Sequence, residues 1–187
     1  MRIIAGEARG RRIEAPSGKN TRPTLDRVRE NLFNMLQGEI NGTRVLDLFA
    51  GSGALSFEAL SRGAESAFLA DHNRQAINAE RMNAESLGYE KKVRIVQADW
   101  RQALKELAAS GESFDIVFLD PPYSMTNLKD VFDGLIPVLA PDALIILEHE
   151  AGKIPDVGTG FKSLKQRNWG FCGVIIYQRR DRLQESE

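Results

Sequence analysis

Disulfide bonds are the first thing this sequence cannot have. Cys172 is its one cysteine, so no internal crosslink can form, which suits a reducing cytoplasm. Long apolar runs are missing as well. The longest, Ala143 to Leu147, falls far short of the ~18 residues of a membrane-spanning helix. Arg2 and Arg9 have no apolar segment behind them, so no signal peptide is expected. There are two histidines, His72 and His149, and neither has further ligand residues at a metal-type spacing, so no metal site is expected. Internal repeats and low-complexity segments are also lacking.

What remains is an ordinary globular composition. The 187 residues are 42% hydrophobic and 27% charged, enough for one domain to bury a core without crosslinks. The net charge of −1 hides an asymmetry. Residues 1–29 hold eight basic side chains against three acidic ones, a local +5 that leaves −6 for the rest. A basic arm on an acidic body suits a phosphate-backbone partner or, equally, a solvated tail.

Along the chain, Arg2-Ile3-Ile4 and Arg12-Ile13-Glu14 flank a Gly6 to Gly10 turn and read as a short hairpin. A Pro16 to Asn20 linker leads to Thr24, a candidate N-cap. Val28, Leu32, Met35, Leu36 and Ile40 then recur at helical spacing. Strands and helices alternate from there. Strands are expected at 45–49, 67–71, 93–96, 114–119 and 143–147, and helices at 54–62, 73–87 (closed by Gly88), 100–109 and 127–136. Residues 161–167 and 174–179 form two strands with no helix between them. The order implies a doubly wound, Rossmann-like α/β fold. Its mostly parallel seven-stranded sheet would end in a C-terminal antiparallel hairpin, with a small β-hairpin at the N-terminus. The expected division is a basic extension over 1–20 and a main domain over 21–187.

Ligands in such sheets bind beyond the carboxyl ends of the strands. Asp47 lies in the first strand, and Phe49-Ala50-Gly51-Ser52-Gly53 turns into a helix, letting backbone approach a nucleotide cofactor. The dinucleotide fingerprint wants a third glycine or alanine where Ser56 stands. Asp71, closing the second strand, can accept both hydroxyls of a ribose, in NAD or S-adenosylmethionine alike, or can cap the next helix. Asp99 can accept from an adenine amine with Trp100 packing nearby, or cap its own helix. Asp120-Pro121-Pro122-Tyr123 follows the fourth strand and narrows the choice. An exocyclic base amine is a poor nucleophile because its lone pair is delocalised into the ring. The Asp120 carboxylate and the Pro121 carbonyl could hold its two hydrogens and aim the lone pair at a methyl donor. Two prolines stiffen the turn, and Tyr123 offers a face on which a flipped base stacks. Other residues are expected to be bland: His72 exposed, Glu148-His149-Glu150 a solvent-facing strand end, Cys172 in a hairpin turn, Trp169 packed on the sheet.

The 45–53 and 120–123 segments resemble the cofactor- and amine-binding motifs of class I amino-methyltransferases. Gly10-Arg11-Arg12, Thr21-Arg22-Pro23-Thr24, Arg27 to Leu36 and Glu58 to Ala64 narrow the likeness. The sequence resembles the bacterial methyltransferases that modify N2 of guanine 966 in 16S rRNA, over nearly its whole length. Ser56 departs from the glycine expected there. The resemblance implies S-adenosylmethionine as cofactor, held by Asp47, Phe49, Ala50, Gly51, Ser52, Gly53, Asp71, Asp99 and Trp100. It implies the guanine amine at Asp120, Pro121, Pro122 and Tyr123. It further implies 16S rRNA in the small ribosomal subunit as partner, with Arg9, Arg11, Arg12, Arg22, Thr24 and Arg27 toward RNA. A cytoplasmic monomer is expected. The alternative is an adenine-N6 methyltransferase acting on DNA or RNA, since the same turn serves any exocyclic amine, although little chain is left over to read a DNA sequence. A nicotinamide oxidoreductase would leave Asp120 to Tyr123 without a task, and a non-catalytic RNA-binding protein would leave the whole site without one.

Overall fold

The computed structural model describes residues 1–16 and 23–180, with the side chains of 23–25 excepted. Most of the expected linker, Arg22 and the Thr24 side chain therefore lie outside the described residues. One sheet runs through the molecule in the order β3-β2-β1-β4-β5-β7-β6. The strands β1 (Arg44–Asp47), β2 (Ser66–Asp71), β3 (Val93–Gln97), β4 (Phe114–Leu119) and β5 (Leu139–Glu150) are mutually parallel. β7 (Cys172–Arg179) runs antiparallel to both β5 and β6 (Phe161–Trp169).

Both faces of the sheet are apolar, as strands covered on both sides require. Val45, Phe118 and Ile146 join one core layer with α1 (Pro23–Met35), α2 (Ala54–Ser61), α3 (Arg74–Leu87) and the N-terminal arm. Leu46, Val117 and Ile145 join the other with α4 (Trp100–Ser110) and α5 (Leu128–Leu135). Helix ends follow local chemistry. Asn73 caps α3 by accepting from Gln75 N at 2.8 Å, and Asp99 caps α4 by accepting from Gln102 N at 2.9 Å. No helix among the described residues is long and apolar enough to cross a membrane.

Several expected boundaries move. α1 begins at Pro23, where a missing N–H costs nothing at the first helical position, so Thr24 lies inside the helix and is not its N-cap. β1 ends at Asp47, which puts Leu48 and Phe49 in the loop. β5 extends well beyond 143–147 in both directions. Its start was obscured by Pro141 and Asp142, the latter at φ 62. There the chain bulges out between Leu139, paired with Phe114, and Leu144, paired with Ile116. Its end is not a solvent-facing terminus, because β7 lies alongside and His149 is 5% exposed opposite Gly173. A side chain at 173 would come within 2.6 Å of His149 Nε2, so the glycine makes the room. The closing hairpin is tighter than expected. Trp169 and Cys172 are already paired, and Cys172 is a buried strand residue, not a turn residue.

The N-terminal hairpin reduces to a single bridge, Arg2 to Arg12, yet Ile3, Ala8 and Ile13 are buried in the main core. Side chains of the domain hold its backbone in place. Glu58 accepts from Ile4 N (2.8 Å) and Ala5 N (3.0 Å), and Ser61 Oγ accepts from Ala8 N (3.0 Å).

Candidate active site

Strand order reverses direction between β1 and β4, with β2 on one side of the pair and β5 on the other. A crevice opens beyond their carboxyl ends, because the helices that follow them leave to opposite faces. The glycine-rich loop lies on the β1 side. Gly51 (φ 59) and Gly53 (φ 75) adopt left-handed backbone. A side chain on Gly53 would also meet the Phe57 ring at 2.5 Å. Gly51 N donates to Asp71 Oδ2 at 3.0 Å, and Asn73 N donates to Asp71 Oδ1 at 2.8 Å. Asp71 thus fastens the loop to the end of β2, while Asn73 takes the role of helix cap. Asn83 braces the loop from below. Its Nδ2 donates to Ser52 O and to Glu14 O, both at 2.9 Å, and its Oδ1 accepts from Glu14 N at 2.8 Å. One side chain therefore ties the loop to the N-terminal arm.

Beneath the loop the polar groups are under-satisfied. Asp47 is 1% exposed; its Oδ2 accepts from Ser56 Oγ at 3.0 Å, while Oδ1 has no partner. Burial pushes its carboxyl up to about 7, against the pull of the Ser56 hydroxyl and the Phe49 backbone. Glu80 is fully buried with both carboxyl oxygens unpartnered. Burial first, then the charges of Asp47 and Asp71, push it up to about 9. Buried acceptors without donors are costly, and a cationic ligand with N–H groups near the Asp47 carboxyl would offset part of that cost. S-adenosylmethionine, with its sulfonium and ammonium, fits such a crevice. Asp99 stands exposed at its far side with Oδ1 engaged in capping. Trp100, expected beside the adenine, is buried. Its indole is 8% exposed, near Gly134 and under the Arg101 guanidinium, which makes it a core residue.

Across the crevice, β4 delivers Asp120 and Pro121 to Tyr123. Pro121 is buried, and Met125 N donates to Pro122 O at 2.9 Å, closing a rigid turn. Tyr123 is 56% exposed. Desolvation of its hydroxyl, followed by the negative field of Glu148 and other acidic neighbours, raises its phenol to about 12, so it stays protonated. A cavity of about 260 Å³ opens beside this turn, lined by Pro121, Pro122, Tyr123, Glu148 and Glu150 among others. Asp71 and Asp99 do not line it, so the cavity belongs to the acceptor side and not to the cofactor side.

The arginines expected to face RNA divide. Arg9, Arg12 and Arg27 are exposed, Arg12 pairing with Glu14 at 2.9 Å. Arg11 is exposed too, and it also donates to the Ser86 and Leu87 carbonyls at the C-terminus of α3. Arg29, counted with the basic arm, is buried between Asp26 and Glu58. His72 is exposed beside Asp71 as expected. No cluster of metal-ligating residues occurs among the described residues.

A glycine-rich loop and a rigid proline turn on the two sides of one strand reversal suit a methyltransferase, and this enzyme is one. The chain belongs to the family whose model, described as Conserved hypothetical protein 95, matches residues 1–178. Ribosomal RNA small subunit methyltransferase D of Escherichia coli K12 is 37% identical over 182 residues, 96% of this chain and 90% of that relative. The protein of the same name from Haemophilus influenzae is 34% identical over 95% of this chain and 93% of its own length. A solved structure of the Escherichia coli methyltransferase yhhF superposes with a TM-score of 0.81 at 38% identity, covering 96% of this chain and 97% of that one.

Sequence reasoning missed Ser56, Glu80, Asn83 and Glu148. Glu80 and Asn83 had a signal: both interrupt the apolar stripe Ala76, Ile77, Ala84, Leu87 on the buried face of α3. Ser56 was read as a neutral departure from a glycine, yet its hydroxyl holds Asp47.

Proposed function

We propose that the enzyme transfers the methyl group of S-adenosylmethionine to the exocyclic N2 of a guanine in 16S rRNA of the small ribosomal subunit, in the bacterial cytoplasm. The observation that carries this reading is the Asp120 to Tyr123 turn, set rigidly at the end of β4 beside an open cavity and across from the glycine-rich loop. The small-subunit rRNA named in the relatives' descriptions supports the substrate.

In this reading the Gly51 to Gly53 backbone, Asp47, Asp71 and Asp99 hold the cofactor, whose sulfonium supplies an electrophilic methyl group when bound. Asp120 and the Pro121 carbonyl accept the two amine hydrogens and point the nitrogen lone pair at that methyl, and Tyr123 stacks on the flipped base. Positioning and electrostatics supply the catalysis in a single in-line displacement, and as the nitrogen takes the methyl it gives up one of its two hydrogens as a proton to the Asp120 carboxylate. Residues 1–20 serve as the RNA-contacting extension of the domain over 21–187, through Arg9 and Arg12, with Arg27 beside them. The enzyme acts as a monomer.

Methyl transfer from labelled S-adenosylmethionine to small ribosomal subunits tests this with wild type and Asp120→Ala. The expected loss in the variant is roughly 10²–10³-fold in rate, with cofactor affinity by calorimetry within about twofold of wild type. An equal loss of cofactor affinity would show that Asp120 holds the cofactor and not the amine.

A further inference from the structure

β4 and β5 are parallel and in register at their ends, with Phe118 opposite Ile146 and Leu119 opposite Leu147. Asp120 and Glu148 come one position past this last pair, and both carboxyls act on Tyr123 and on Cys172. Alternation along β5 sends the Glu148 side chain to the face where Ile146 points. Two carboxyls thus stand side by side at the ends of neighbouring strands. Asp120 belongs to the amine-gripping turn. Glu148 has no structural duty of comparable weight, yet it is set back from solvent, lines the same cavity as Pro121 to Tyr123, and lies beside the buried thiol of Cys172. That thiol, pushed above its usual range by burial and by the Glu148 and Asp120 charges, donates to Gly173 O at 3.8 Å and also bears on Glu148, whose carboxyl burial raises while Cys172 and His149 pull it back down.

A base whose amine is held at Asp120 presents its adjacent ring atom one position away. In guanine that atom is N1–H, a donor next to the N2 amine. In adenine it is a bare N1, an acceptor next to the N6 amine. In 2-aminopurine the amine sits on the same carbon as in guanine, but N1 carries no hydrogen. We infer that Glu148 is the specificity-determining residue of the acceptor pocket, its carboxylate accepting the guanine N1–H while Asp120 and the Pro121 carbonyl hold the amine hydrogens. Three donors of the guanine edge then meet three acceptors. Adenine or 2-aminopurine in the same pose sets a ring lone pair against a carboxylate. A site that leaves a buried polar group unpaired rejects such an analogue strongly.

The inference rests on the guanine-N2 reading, and its test separates the two. Small subunits are reconstituted with 16S rRNA carrying guanine, 2-aminopurine or adenine at the modified position. Single-turnover transfer is measured with wild type, Glu148→Gln and Glu148→Ala, and S-adenosylmethionine affinity is measured alongside. Wild type is expected to prefer guanine over 2-aminopurine by roughly 10- to 100-fold, the size of a good base-edge contact. Glu148→Gln, whose amide can donate to a bare N1, should shrink that ratio to about threefold or less with cofactor affinity unchanged. Glu148→Ala should lose guanine transfer without gaining on 2-aminopurine. Equal wild-type rates on guanine and 2-aminopurine overturn the role of Glu148 and leave the guanine-N2 reading standing, and this comparison needs no variant. An undiminished preference in Glu148→Gln overturns it as well. Failure of wild type to methylate guanine overturns the function proposed above, and this inference with it.

Discussion

Two buried carboxyls, Asp47 and Glu80, are both held far above their ordinary range by burial. Glu80 titrates near 9 in the fold against an ordinary 4.5. Between these values the native state holds a proton that the unfolded chain has released, so stability falls as pH rises through that window. Asp47 adds a slope of the same sign between its ordinary 3.8 and about 7. Glu80→Gln removes the larger part. Its melting temperature should match wild type near pH 5 and exceed it at pH 8 by several degrees, at about 2–4 °C per kcal/mol for a chain this size. Calorimetry across pH 5 to 8 checks this, and an equally steep fall in the variant would place the tension elsewhere. Ser56 moderates the Asp47 shift by donating to that carboxyl, giving the hydroxyl a purpose that a glycine could not serve.

At the scale of elements, the N-terminal arm is less a tail than part of the fold. Ile3 and Ile13 sit in the main core, and Glu58, Ser61 and Asn83 satisfy its backbone. Truncation would therefore unfold as much as it tests. Neutralising Arg9, Arg12 and Arg27 to glutamine leaves the core untouched. The slope of log affinity against log salt for RNA should then fall by about two to three, near the number of phosphate contacts removed. An unchanged slope would show that these arginines touch only solvent. Much of this architecture was legible in the sequence, because buried parallel strands read as apolar runs, and Asn73, Gly88 and Asp99 mark helix ends by their own chemistry. The Asp120 turn was legible for the same reason: a rigid proline pair after a strand has few alternative conformations. Tertiary pairing was not legible. β5 continues through Pro141 and Asp142 by a bulge, and through Glu148 to Glu150 because β7 happens to lie beside it. The fate of an arginine is equally non-local: Arg11 caps α3 far along the chain, while Arg9 two positions away stays in water.

At the scale of the whole molecule, a doubly wound sheet sets the glycine-rich loop and the Asp120 to Tyr123 turn on the two sides of one strand reversal, and Asn83 ties the N-terminal arm to that loop. The same machinery would serve any exocyclic amine, so the identity of the product is the sharpest test of the account. Small ribosomal subunits, naked 16S rRNA and duplex DNA are offered side by side with labelled S-adenosylmethionine, and the modified nucleoside is identified by mass spectrometry. N2-methylguanosine in the RNA, with the preferred substrate marking the stage of subunit assembly, is the predicted result. N6-methyladenine in any of the three, with no N2-methylguanosine, would contradict it.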